Sequence, residues 1–516
     1  MVATADAAAS LAAMDVLGEG GNAFDAAITV SAVLTVVQPM ACGPGGDVAA
    51  VLHVADTGKT ITLTSLGRAP SGATPEAFTG RGHTTVPPTG ILSVSTPALM
   101  DSWYTLHRRL GSLPLERLLE PAVRFAADGT VVTDQFARWT GANLDVLVQE
   151  EFSRTYGPYG NADSVGSLIR QPGLADLYTL VSELAYAPDK LRRIIGESVA
   201  KVSSEFGGLL TAADCVVDHA RLHPAKALTV AGHTVATTPA PTQGPLLLQN
   251  LALYQRLTDG SGADTAAGIH LLAEIANQTY GRRLEYLGDP DFVNWEDPLD
   301  PALLDILATG VNIQRRSDSL SAGHYTQADT SHFALVDADG NGVSWVQSLG
   351  LGFGSGVGVS ELGLLLGNRL GRSATIDPTH PNCCAPGKRP VNTIFPWSAY
   401  DGSNLWLGGT PGGDGQTQWN AQALLALLVD DTGPLRALSR PRWTYYPGVD
   451  KVEAAMGPQL RVDASMGGEV IEQLRGLGHD VVPKASVGGV VRLVGRRRGH
   501  TYGLDEGRHE GLTLGR

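Results

Sequence analysis

The sequence predicts an α+β protein, with helical and strand-like runs occupying separate stretches. Three observations carry this. The chain opens on two Ala-rich runs at helical spacing, residues 5–17 and 22–37, with Gly18-Glu-Gly-Gly21 as the stop between them. Helical patterns dominate residues 96–128, 174–196 and 246–308. After a polar stretch at 315–329, the texture changes to short β-rich runs with hairpin turns.

The elements follow in order. Gly43-Pro-Gly-Gly46-Asp47 leads into strands at Val48 to Val54 and Thr60 to Leu66, which Asp56-Thr-Gly58 joins as a hairpin. The middle of the chain is expected to be mostly helical. Residues 315–329 hold almost nothing that could be buried, so they read as a loop or linker. His332 to Asp337 and Val343 to Ser348 flank Ala338-Asp-Gly-Asn-Gly342, which supplies the residues of a tight turn. Further strands are expected at Thr393 to Tyr400, Leu405 to Gly409 and Val482 to Val494, with a helix from about Gln418 to Val429.

Composition bounds the function. A chain of 516 residues makes two or three domains or one large one. Asp and Glu outnumber Lys and Arg by 52 to 38, giving a net charge of −14, which argues against a nucleic-acid partner. The one dense basic cluster, Arg496-Arg497-Arg498, reads as a solvated strand or loop. Cys42, Cys215, Cys383 and Cys384 are too few and too badly spaced for a disulfide scaffold or a zinc site. Ala26 to Val37 falls short of the roughly 20 residues that span a bilayer, and no cationic region precedes an apolar run at the N-terminus. The expectation is a cytoplasmic protein with no membrane partner and no cofactor.

Spacing removes several familiar chemistries. A phosphate loop ending at Gly58-Lys59-Thr60 would need its first glycine at His53. A calcium loop opening at Asp337 would end on Ser348, where a bidentate Glu is required. Glycines alternate through Gly350 to Gly358 without forming a dinucleotide fingerprint, and neither G-x-S-x-G nor H-E-x-x-H occurs. A threonine remains. Thr330 lies where the polar linker meets a buried-looking hairpin. Cleavage of the Asp329–Thr330 bond would give it a hydroxyl nucleophile and a free α-amine of pKa about 7.7–8.0 as its own base. The hairpin returns Ser348 toward Thr330, where its hydroxyl could hold the nucleophile. From spacing alone, an ordinary threonine at the start of a strand reads the same way, and Pro411-Gly-Gly-Asp-Gly415 reads as an ordinary turn.

Motifs along the whole chain resemble the γ-glutamyltranspeptidase family. They are Gly20-Gly-Asn-Ala-Phe-Asp-Ala-Ala27, Gln38-Pro39, Gly43 to Asp47, Leu287-Gly-Asp-Pro-Asp-Phe-Val293, Asp329-Thr-Ser-His-Phe333, Val336 to Ser344, Phe353-Gly-Ser-Gly356, Pro386-Gly-Lys-Arg-Pro390 and Thr410-Pro-Gly-Gly-Asp414. The resemblance implies an αββα sandwich of the N-terminal-nucleophile hydrolases, made as one self-cleaving precursor. Residues 1–329 would form a large subunit and 330–516 a small catalytic one, staying associated as one αββα domain, with a dimer of such heterodimers among the expected assemblies. It makes Thr330 the nucleophile, Ser348 its hydrogen-bonding hydroxyl, and Gly412 and Gly413 the oxyanion hole, where adjacent N–H donors stabilise the developing charge.

Departures from the family pattern concern the acyl pocket. An Arg-Glu pair expected before Ala-Pro is replaced by Ser65-Leu-Gly-Arg68-Ala-Pro70, which leaves Arg68 shifted by two residues. Asn368-Arg369-Leu-Gly-Arg372 stands where the family holds the substrate ammonium with carboxylates, and Asn392-Thr393 replaces a pair of serines. A pocket that gains Arg369 should disfavour a free α-amino acid head and favour an anionic or neutral acyl group. The resemblance is therefore to the amidohydrolase/acylase branch, acting on a small-molecule amide that is not a standard γ-glutamyl one. A genuine γ-glutamyltransferase or glutathione hydrolase is the alternative, with Asp414 as the ammonium-binding acid; a homologue that cleaves a carbon–carbon bond is another, and an inactive scaffold a further one.

Overall fold

The opening helix Ala7–Gly18 begins at Asp6, whose side chain accepts from the Ala8 N–H, and Ala23–Val37 begins at a reciprocal Asn22–Asp25 capping box. Every residue of Ala23–Val37 is buried. A helix apolar on all sides belongs in the interior, and this one packs between a sheet and the helices Leu99–Leu110 and Leu115–Asp128. The computed structural model describes residues 1–294, 297–320, 330–446 and 458–515.

Two sheets stack face to face. The first runs in the order Leu512–Leu514, Val2–Thr4, Ser331–Val336, Gly342–Ser348, Asp47–Val54, Lys59–Ser65, Ala220–Pro224. The second runs His500–Asp505, Arg492–Arg497, Leu405–Gly409, Trp397–Tyr400, His233–Thr237, Lys226–Val230. All neighbours in both are antiparallel. Side chains alternate across the first sheet. Phe333, Leu335, Val343 and Trp345 join the core beneath the opening helices, whereas Ala334 and Val336 meet Leu405, Leu407 and Val494 of the second sheet. The outer face of the second sheet packs on Gly244–Leu257, Ala266–Tyr286, Gln416–Leu424 and Gly468–Gly476. The layers are thus α, β, β, α, the sandwich that the resemblance implies. Residues before 321 and after 329 contribute strands to both sheets, so the chain forms one large layered body.

The hairpin at 332–348 forms as expected. Its turn is closed by Asp337, whose carboxylate accepts from the N–H groups of Gly340 and Asn341 and from Ala23 at the start of the buried helix. That carboxylate serves the turn and not a calcium ion. Arg496–Arg498 lie at the hairpin between Arg492–Arg497 and His500–Asp505. The middle of the chain departs from the helical expectation. Ala220–Pro224, Lys226–Val230 and His233–Thr237 are strands, two of them at sheet edges. The strand expected from Thr393 begins only at Trp397, because Asn392 is drawn into a bridge with Thr242. Val482 to Val494 is not one strand: Val481–Lys484 and Arg492–Arg497 belong to different sheets. The helix begins at Gln416 and passes into a π turn at Leu425–Val429. Of the expected linker, 315–320 is irregular, and 321–329 lies outside the described residues.

Candidate active site

Strand register sets the site. Gln347 pairs with Ser331, which places Ser348 opposite Thr330; Ser348 pairs with Asp47, and Val48 with Ser65, which places Asp47 opposite Leu66. Thr330, Ser348, Asp47 and Leu66 therefore form a row across four adjacent strand positions, on the face turned to the second sheet. Thr330 is buried, and its Oγ1 donates to Ser348 Oγ at 3.4 Å, while Ser348 Oγ accepts from the Gly350 N–H at 2.9 Å.

The next inward residue of the nucleophile strand ties the two sheets together. His332 Nε2 contacts Ser344 Oγ at 3.0 Å, and Ser344 Oγ donates to the Gly408 carbonyl at 2.9 Å, which leaves Nε2 as the protonated nitrogen. Nδ1 is buried without a partner among the described residues. Burial, with Arg492 adding to it, pushes this imidazole well below its ordinary pKa, so the ring is neutral. A Cβ on Gly409 would fall 2.7 Å from the ring, so only glycine lets Leu405–Gly409 end against Thr330's strand.

The loop 410–415 continues from that close approach. Gly412 has φ +118, and a Cβ on it would sit 2.3 Å from Trp419 Cζ3. The loop therefore lies flat on the indole, whose Nε1 donates to Thr444 Oγ1 at 2.7 Å. The backbone N–H groups of Gly412 and Gly413 donate to nothing among the described residues. They are two uncommitted donors at the entrance to Gln416–Leu424.

Asp47 organises the other side. Its carboxylate accepts from the Gly67 N–H at 2.7 Å, Asn392 Nδ2 at 2.9 Å and Arg369 Nε at 3.0 Å. The Asn392 carbonyl accepts from the Gln243 N–H at 2.9 Å, Gln243 Nε2 donates to Asp414 at 2.9 Å, and Arg372 donates to Asp414 at 3.1 Å. A continuous polar chain thus runs from the nucleophile's row to the residue after Gly413. Among the described residues no group of three or more His, Cys, Asp or Glu side chains could hold a metal, and no helix is long and apolar enough to cross a membrane.

Residues 9–515 match the family model for gamma-glutamyltranspeptidase. The oxamate amidohydrolase proenzyme of Klebsiella pneumoniae is 31% identical over 513 residues, covering 97% of this chain and 94% of its own. The chain belongs to the γ-glutamyltranspeptidase family. The glutathione hydrolase proenzyme of Escherichia coli is 27% identical, covering 100% of this chain and 91% of its own. The crystal structure of cephalosporin acylase from Bacillus halodurans superposes with a TM-score of 0.89 at 27% identity, covering 99% of this chain and 94% of that one. This γ-glutamyltranspeptidase-family protein is an enzyme with the N-terminal-nucleophile hydrolase fold.

Within it, the residues singled out from sequence divide. With Thr393 buried next to Asn392, and Gly412 and Gly413 in the loop that follows Leu405–Gly409, the residues Thr330, Ser348, Arg369 and Asn392 converge on the Asp47 row. Arg68 does not. Leu66 takes the row position, and Arg68 donates instead to the Gly387 carbonyl at 3.0 Å. Its own burial, with the charge of Arg389 adding to it and Asp289 opposing, lowers the pKa of its guanidinium. The Asp414 carboxylate is engaged by Gln243 and Arg372, with Arg283 at 3.8 Å. Asp47, Gln243 and Trp419 were not singled out from sequence. The available signal was Asp47 itself, a lone acid at the head of an apolar strand.

Proposed function

We propose that the enzyme is an autoprocessed amidohydrolase or acylase whose nucleophile is Thr330 and whose acyl donor lacks a free α-amine. The observation that carries this is the Thr330–Ser348 hydroxyl pair at 3.4 Å, on the face turned to the strand Leu405–Gly409, which leads into the loop of Gly412 and Gly413. Cleavage before Thr330 exposes its amine, which takes the hydroxyl proton as Oγ1 attacks the amide carbonyl. The N–H groups of Gly412 and Gly413 bind the oxyanion. Collapse expels the amine, which leaves with the proton, and water releases the acyl group from the threonine ester.

The acyl preference rests on charge. Gly371 and Arg372 occupy the positions expected to supply the ammonium-binding carboxylates, with Arg369 close by in sequence, and Asp414 is engaged by Gln243 and Arg372, so a buried ammonium would lack the carboxylate it needs. The names of the oxamate amidohydrolase and cephalosporin acylase relatives support an amide substrate outside the glutathione class. Strands from both fragments interleave in both sheets, which supports continued association after cleavage. Denaturing gels test the processing: fragments 1–329 and 330–516 are expected from active enzyme, and activity in a wholly full-length preparation would refute the proposal. A higher kcat/KM for a γ-glutamyl anilide than for every deaminated analogue would refute the acyl preference.

A further inference from the structure

Arg369 is 1% exposed, and among the described residues only Nε of its guanidinium has a partner, Asp47. Nη1 and Nη2 are buried with no acceptor among the described residues. A guanidinium is the side chain least able to shed its charge, and burying its donors without acceptors is costly. Its neighbours do not relieve it. Arg372, one turn on in Arg369–Ser373, directs its charge at Asp414, and Asn392 directs its amide at Asp47. Burial and Arg372 both press the Arg369 guanidinium below its ordinary pKa, with Asp47 and Asp414 opposing. Holding Nε from behind leaves the Nη pair as a fork suited to two oxygens at once.

The position of the fork limits what it can hold. Thr330 and Asp47 are separated by two strand spacings, about 10 Å, and Arg369 Nε lies 3.0 Å from Asp47. Arg372, one turn on from Arg369, is bonded to Asp414, next to Gly413. The fork therefore stands beside Asp47, about two strand spacings along the row from Thr330.

From this we infer that the Nη1–Nη2 fork of Arg369 is the receptor for a carboxylate carried on the acyl group, so that the substrates are monoamides of short dicarboxylic acids. This rests on reading the site as an amidohydrolase and names its substrate class. Asp47 is a positioning residue: it fixes the fork's direction and satisfies Nε, leaving the outer nitrogens to the ligand. Thr330 and Arg369 are both buried.

The test uses processed enzyme and separates binding from turnover. Calorimetric titration with oxalate, malonate and succinate at fixed ionic strength is compared with titration by their monomethyl monoamides, which lack the charge. The expected result is that at least one dicarboxylate binds about tenfold or more tighter than its neutral counterpart, that Arg369→Gln abolishes the difference, and that Arg369→Lys retains part of it. In turnover, the carboxylate-bearing amide should show a lower KM than its methyl ester, with similar kcat. Equal binding of charged and neutral ligands by the wild type overturns the inference, whether or not either variant folds. An enzyme that cleaves neutral amides equally well refutes the substrate class while leaving the amidohydrolase reading intact. Absence of processing or of any acyl adduct refutes that reading, and the binding titration still decides the fork.

Discussion

Replacing Gly412 by Ala tests the oxyanion loop through a clash of known size. The added Cβ would lie 2.3 Å from Trp419 Cζ3, against 3.4–4 Å for an ordinary contact, so the loop or the indole must give by about an ångström. The indole is poorly placed to yield. Its Nε1 is bonded to Thr444, and Gly415 and Gly489 press on the same ring. The backbone must therefore shift, and at φ +118 it must also leave a conformation that alanine avoids. A shift of an ångström takes a donor out of line, and loss of one oxyanion donor costs about 10²–10³ in kcat. A matched control is Gly402→Ala, where φ is +96 but nothing lies within 4 Å of the new Cβ; it carries the backbone strain without the clash. Steady-state hydrolysis of an amide substrate should show a large fall in kcat for Gly412→Ala and near wild-type kcat for Gly402→Ala. Wild-type turnover in both would mean that the loop at 410–415 does not hold the oxyanion.

Thr330→Ala should stay a single full-length chain on denaturing gels and lack amidase activity, since it removes the hydroxyl needed for both steps. Asp47→Ala leaves the buried Arg369 without its counter-charge and should cost about 3–5 kcal/mol of stability by denaturant unfolding, with Asp47→Asn costing less. His479, whose Nε2 meets His270 Nδ1 at 2.8 Å, has its pKa pushed down to about 4 by burial. Its neutral form belongs to the folded state, so its contribution is present above the unfolded value of about 6.5 and is lost as pH falls from there toward 4. The loss approaches on the order of 3 kcal/mol at its limit, and His479→Gln should flatten the dependence of unfolding free energy on pH between 7.5 and 5.

The Thr330–Ser348 pair and its hairpin are legible in the sequence because they are local: a polar linker, a strand, turn residues at fixed offsets and a returning hydroxyl. The oxyanion loop is legible as a motif, but its shape depends on Trp419, which is brought against Gly412, Gly415, Gly488 and Gly489 only by folding. Strands at 220–237 escape notice because Ala220–Pro224 and Lys226–Val230 are sheet edges, short and partly exposed, and their polar residues blur the apolar signal. Arg68 illustrates a different limit. Its position in sequence is two residues from that of the family arginine, but a strand alternates faces and ends at Ser65, so the turn at Gly67 sends the side chain toward Gly387 and away from the row. Asp47 becomes a hub only when Gly67, Arg369 and Asn392, separated by as many as 345 positions, are folded around it.

The central claim is that Thr330 becomes the N-terminus and carries the acyl group. Intact-mass spectrometry of active enzyme, rapidly quenched during turnover of an amide substrate, tests both parts at once. The account predicts a small fragment beginning Thr330-Ser331-His332-Phe333 that gains the mass of the acyl group, with the adduct mapping to Thr330. A fragment beginning at any other residue, or an adduct mapping elsewhere, would contradict it.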